Sequence, residues 1–136
     1  MAYWLMKSEP EEYSYQDLMK QGRDVWDGVR NAAALKHMRA MRPGDRFLFY
    51  HSGSQRAVVG VGRIVSEPYP DPAVADPKYV VVDVAPEYPF PRPVTLAEIK
   101  ADPLFGDWEL VRLSRLSVMP VPESHWRRIH EMGQRE

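Results

Sequence analysis

The sequence predicts an α+β fold: a small mixed β barrel or strongly curved sheet of five or six strands, with short helices between them. Three observations carry this. Short runs rich in Val, Ile and aromatic residues recur between turn signals, without regular strand–helix alternation. Gly60 and Gly62 interrupt one such run, which suits close backbone approach or barrel curvature. No glycine-rich phosphate loop follows the first strand, which disfavours a Rossmann-like sheet.

The elements follow in order. Tyr3, Trp4, Leu5 and Met6 make Ala2 to Lys7 a buried first strand, broken by Ser8-Glu9-Pro10. Ser14-Tyr15-Gln16-Asp17 reads as an N-terminal cap, with a short helix to about Gln21 before Gly22. Asn31 can cap a second helix from Ala32 to Met41, with Ala33, Leu35, Met38 and Met41 as its apolar contacts. Pro43-Gly44-Asp45 is a turn. Arg46 to His51 and Ala57 to Ser66 are strands around a polar turn. Tyr79 to Ala85 is another. Prolines cluster from Glu67 to Pro93, where they punctuate loops and mark strand edges. Thr95-Leu96-Ala97-Glu98 is a capping box on a short helix. Leu116 to Val121 is a late strand, and Ser124 to Met132 a helix closed by Gly133.

The chain has 136 residues, 44% of them hydrophobic, which fits one domain spanning 1–136 with a packed core. No apolar run reaches about 18 residues, so no membrane partner is expected, and no secretory signal is visible. Cysteine is absent, which removes disulfides and thiolate chemistry and fits a cytoplasmic location. The four histidines lack the spacing of a metal helix, so no metal is expected. A net charge of -1 argues against a generally basic nucleic-acid binder. The charge is uneven, however. Arg23 to Arg46 holds six basic and three acidic residues, whereas Glu67 to Glu87 holds five acidic residues and one lysine. A basic face opposite an acidic face is one arrangement, and it suits a local footprint on a few nucleotides.

Several segments bear chemistry. Trp26-Asp27-Gly28-Val29-Arg30-Asn31 sets a ring, a guanidinium and a carboxamide just before a helix start. Trp26 can be a core ring or a stacking platform. Arg30 can hold a phosphate or a base edge, and Asn31 can cap the helix or pair with a base edge. Trp4 and Trp126 read as core. Lys7-Ser8-Glu9 can form a hydrolytic set or an ordinary turn; neighbours on an extended chain point to opposite faces, which opposes convergence on one atom. In Tyr50-His51-Ser52, His51 can be an acid/base, a ligand donor or a structural residue. Arg112-Leu113-Ser114-Arg115-Leu116-Ser117 alternates as a strand would. It suits either phosphate contact or a plain surface edge.

Taken together, these residues resemble the EVE domain, in the PUA-like superfamily. The resemblance rests on Tyr3 to Pro10, Trp26 to Asn31, Gly44-Asp45 with Phe49 to Ser52, and Tyr69-Pro70-Asp71. It continues through Val82-Asp83-Val84, Pro93 to Leu96, Ile99-Lys100 and Leu110 to Val118. It implies a PUA-like mixed β pseudobarrel with short flanking helices. It also implies cofactor-free, non-catalytic binding of DNA or RNA bearing a modified base, such as a modified cytosine, in an aromatic-walled pocket. On that reading Ser8, Trp26, Asn31, Tyr50, His51 and Ser52 form the base pocket. Lys7, Arg30, Arg112, Ser114, Arg115 and Ser117 contact the nucleic-acid backbone. The alternatives are a small ASCH-like amidohydrolase using Lys7, Ser8 and Glu9 on an acylated nucleobase, and a protein-interaction module using an exposed aromatic patch.

Overall fold

Where apolar side chains fill both faces of a run, the chain lies in the middle of the sheet, and this places the strands. In a computed structural model that describes residues 1–134, β1 (Tyr3–Ser8), β3 (Arg46–His51) and β4 (Ala57–Ile64) are such runs. The other strands are β2 (Asp24–Trp26), β5 (Tyr69–Pro70), β6 (Val80–Thr95) and β7 (Val118–Pro120). The spatial order is β2-β6-β4-β3-β1-β7, with β5 added to β6. Only β1 and β3 run parallel; the other pairs are antiparallel. The sheet curls into a half-barrel. Among the described residues no helix is long and apolar enough to cross a membrane.

The curl has a local cause. The β3–β4 and β4–β6 ladders slip register beside Phe49/Tyr50, Val58/Gly60 and Val61/Gly62. A Cβ on Gly60 would stand 2.8 Å from the Tyr15 ring, and one on Gly62 would stand 2.5 Å from the Phe47 ring. Bare backbone at both positions lets these rings lie flat on the strand, as the sequence suggested.

Among the described residues five α-helices pack around the sheet: α1 (Tyr15–Gln21), α2 (Ala32–Arg39), α3 (Leu96–Ala101), α4 (Glu109–Arg112) and α5 (Glu123–Gly133). The capping signals place them. Ser14 and Asp17 form a reciprocal capping box on α1, and Thr95 and Glu98 form one on α3. Asn31 Oδ1 accepts the Ala34 N–H at 3.0 Å and starts α2. On α2 the buried residues are Ala34, Leu35 and Met38, with Met41 just beyond, whereas Ala33 is exposed.

Five expectations need correction. Among the described residues there are seven strands, because β2 and β5, three and two residues long, carry no periodic signal. The proline-rich stretch after Ala85 is strand rather than loop: β6 runs 16 residues, with Pro86 and Pro89 facing Gly62 and Gly60 at the register slips. Arg112 to Ser117 is not a strand. Trp108 opens the short helix α4, a turn follows, and β7 begins only at Val118. Gly133 belongs to α5 rather than stopping it, because its missing side chain admits the Phe90 ring. The basic and acidic segments do not form opposing faces. Arg23 pairs with Asp83, Arg42 with Glu67 and Arg46 with Glu87, at 2.9, 3.8 and 2.9 Å.

The aromatic centre of the core is Phe47, Phe49, Tyr15 and Trp26. Trp26 meets Phe47 and Phe49 edge-on, at centroid distances of 5.7 and 5.3 Å. Each such pair adds about 0.5–1.5 kcal/mol beyond area burial. Trp4 and Trp126 are core, as expected. Trp4 is held by Asp45, whose buried carboxylate also accepts the Ala2 and Arg42 N–H groups.

Candidate nucleic-acid interface

The end of β1, the loop before α1, and β2 with the turn after it surround an open cleft of about 540 Å³. β1 contributes Lys7 and Ser8. Glu9, Glu12 and Tyr13 come from the loop, and Asp24, Trp26, Asp27 and Gly28 from β2 and its exit. Gly28 adopts φ 80, the left-handed turn that takes the chain from β2 toward α2.

Each side chain has a local reason for its position. Ser8 Oγ donates to the Tyr13 carbonyl at 2.6 Å, folding the loop back on β1. Tyr13 donates its hydroxyl to Asp24 Oδ2 at 2.6 Å. Burial and then Asp24 hold the Tyr13 hydroxyl well above the usual tyrosine range, so it stays a donor. Lys7 Nζ donates to the Ser114 carbonyl at 3.1 Å and lies 5.5 Å from the Tyr50 ring centre. Burial pushes the Lys7 ammonium below its ordinary value. Trp26 retains 8% exposure. It is therefore a core ring that also lines the cleft, not the partly open platform expected from its neighbours.

The electrostatics are lopsided. Four carboxylates, Glu9, Glu12, Asp24 and Asp27, face the cleft against the single cation Lys7. Such a lining repels phosphate. It suits a neutral ring with amino hydrogens, because carboxylates accept from the N4 amine of cytosine. Among the described residues, no three His, Asp or Glu side chains are grouped to hold a metal ion.

The structure gathers some of the expected site and disperses the rest. Lys7, Ser8 and Trp26 line the cleft. Tyr50 and His51 are buried. His51 Nε2 accepts the Tyr15 N–H at 3.1 Å, which puts the ring proton on Nδ1, where it is donated to Gln55 Oε1 at 2.7 Å. Both ring nitrogens are engaged within the chain, so His51 ties β3 to α1. The Ser52 N–H donates to the Ser8 carbonyl, binding the β3 turn to β1 behind the cleft. Asn31 is exposed and spends its oxygen on the cap. Arg112, Ser114 and Arg115 are exposed on α4 and the turn beyond it, and the Ser117 carbonyl accepts the Lys7 N–H. Arg30 is exposed just past Gly28. Sequence reasoning singled out Glu9 only within the Lys7-Ser8-Glu9 set and did not single out Glu12, Asp24 or Asp27 as site residues.

The Lys7-Ser8-Glu9 set does not converge. Lys7 reaches the Ser114 carbonyl and Ser8 the Tyr13 carbonyl, while the Glu9 carboxylate packs over Gly53, where an added Cβ would come within 2.5 Å of Oε1. With Ser8 donating to a carbonyl, no base stands ready to take its proton.

Comparison with known proteins follows this geometry. The EVE domain family matches residues 2–132. Thymocyte nuclear protein 1 of Mus musculus is 35% identical over 159 residues, covering 91% of this chain and 70% of that protein. Among solved structures, Rpa0253 from Rhodopseudomonas palustris superposes with a TM-score of 0.93 at 45% identity, covering 98% of this chain and 93% of that one. The human THYN1 protein, solved in complex with 5-methylcytosine containing DNA, gives a TM-score of 0.88 at 31% identity, covering 100% and 99%.

Proposed function

The chain belongs to the EVE domain family, and from that premise we propose that it is a non-catalytic nucleic-acid-binding module that reads a modified cytosine. One observation carries the reading. The cleft combines the Trp26 ring with carboxylates and excludes all cations but Lys7, so it accepts a base and leaves the phosphates outside. The likeness to a protein crystallised with 5-methylcytosine DNA supports the same assignment, with DNA as the first target to test and RNA as the second. The cysteine-free composition supports a cytoplasmic site of action.

Roles follow from position. A flipped base enters the cleft and meets only the small exposed part of Trp26, with Ser8 and the acidic rim at its edges. Tyr50, His51 and Ser52 hold the strand ends that shape the wall, and Asn31 starts the helix that follows Arg30. Arg30, two positions past Gly28, and Lys7, which reaches the Ser114 and Ser117 carbonyls, are the cations nearest the cleft; with Arg112, Ser114, Arg115 and Ser117 on the segment that Lys7 engages, they are assigned to the flanking backbone. The scattered hydrogen bonds of Lys7, Ser8 and Glu9 support binding without turnover.

One methyl group removed from water contributes about 0.8 kcal/mol, which corresponds to about fourfold preference. Fluorescence anisotropy with otherwise identical 5-methylcytosine and cytosine oligonucleotides, in DNA and RNA form, tests this. A preference of that size is expected in the parent, and Asp27→Asn is expected to weaken binding of both oligonucleotides, because both carry the N4 amine. Equal affinity for both oligonucleotides in the parent protein overturns the reading, as does hydrolysis of N4-acetylcytidine by the purified chain.

A further inference from the structure

Ion pairing within the fold leaves a specific remainder of positive charge. Of the six cations between Arg23 and Arg46, Arg23, Arg42 and Arg46 are matched by Asp83, Glu67 and Glu87. Arg30, Lys36 and Arg39 have no carboxylate within ion-pair distance among the described residues. Two of them meet at one place. The Arg30 guanidinium lies 4.7 Å from the Tyr79 ring centre, and Lys78 Nζ lies 5.1 Å from it. Arg39 donates to the Lys78 carbonyl at 2.8 Å. Arg30, Arg39 and Lys78 are exposed and Tyr79 is half-buried. The nearest acid is Asp76, 3.6 Å from Lys78, and both are open to solvent. Pairing of that kind is weak.

Topology joins this cluster to the cleft. β2 and β6 run antiparallel with Trp26 opposite Val82. The chain leaving β2 therefore passes back along the segment preceding Val80, and Arg30 lands on Tyr79. Arg30 lies two positions past Gly28 on the cleft rim, a span of at most about 7 Å. The guanidinium is fixed over the ring, so little side-chain freedom is lost when it grips an anion.

We infer that Arg30, Lys78 and Arg39, gathered around Tyr79, form a track for the phosphodiester backbone leading away from the base cleft. The inference rests on the nucleic-acid reading above and extends it to a surface that the cleft does not include. The cleft excludes phosphate, and the track supplies the countercharge just outside it. A strand can then hold one base inside while neighbouring phosphates sit on fixed cations.

The experiment is the salt dependence of oligonucleotide affinity, measured with 5-methylcytosine and cytosine single strands. Three proteins are compared: the parent, the double variant Arg39→Gln/Lys78→Gln, and the control Lys100→Gln/Arg127→Gln, which removes two charges from α3 and α5. Each phosphate contact contributes about 0.7 to the slope of log affinity against log salt on single strands. The track variant is expected to lower the slope by about 1.4 and to keep the ratio between the two oligonucleotides. The control is expected to keep the parental slope. An unchanged slope in the track variant, or an equal fall in the control, overturns the track. A parental ratio of one overturns the base reading instead, while the slopes still decide the track.

Discussion

Tyr13 donates its hydroxyl to Asp24 Oδ2 at 2.6 Å, joining the loop ahead of α1 to the first residue of β2. The bond fixes the separation of the two elements that frame the cleft. Replacing the ring by Phe keeps the packing and removes only this tie. Tyr13→Phe is expected to cost about 1–2 kcal/mol, read as a lower urea midpoint at unchanged slope. It should also weaken binding of both cytosine oligonucleotides, because the acid loses its position.

Three tyrosines make the fold sensitive to alkali. Burial raises Tyr13 beyond the usual range and pushes Tyr15 up to about 12. Its hydrogen bond to Asp83, and then burial, push Tyr69 up to about 12. Unfolded tyrosine ionises near pH 10. The native state therefore keeps protons that the unfolded chain releases. This contribution is complete below about pH 10 and is lost as pH rises through the folded values. Urea midpoints should fall between about pH 10 and about pH 12, more shallowly in Tyr69→Phe. A flat profile across that window would contradict the assignment.

Gly60 has no room for a side chain, since its Cβ would stand 2.8 Å from the buried Tyr15 ring. Gly60→Ala is expected to destabilise the protein by about 1–3 kcal/mol. Differential scanning calorimetry measures this. A neutral result would mean that the β4–α1 contact yields freely.

Asn31 separates capping from recognition. Asn31→Ala is expected to cost about 1 kcal/mol, whereas Asn31→Asp keeps the cap and the stability. Asn31→Asp should also keep the oligonucleotide preference, because the Asn31 oxygen already accepts the Ala34 N–H. A loss of preference at parental stability would instead place the carboxamide on the base edge.

The helix starts were legible in the sequence because their signals are local. Ser14, Asn31 and Thr95 each satisfy a backbone N–H within three residues. Gly60 and Gly62 were legible as points of close approach, although not which rings would cover them. The long β6 was hidden because its prolines look like breakers, and only the slipped register opposite glycines accommodates them. Arg112 to Ser117 misled because alternation alone cannot distinguish a strand from the end of a helical turn. Lys7 engages that segment by donating to two of its carbonyls, those of Ser114 and Ser117. His51 sits at a strand end, as functional residues often do, but its partners Tyr15 and Gln55 come from segments that a linear reading does not bring together. The acidic lining of the cleft is assembled from two separate stretches, Glu9 with Glu12 and Asp24 with Asp27, and neither alone displays it.

The shared use of Trp26 by core and cleft limits how such a module can diversify. Its indole rests edge-on against Phe47 and Phe49, so changing the ring would loosen the centre of the sheet. Glu12 and Asp27 are exposed and hold no partner among the described residues. On the proposed reading, new specificities are therefore most accessible through these rim acids, because the tryptophan is held in place by the core.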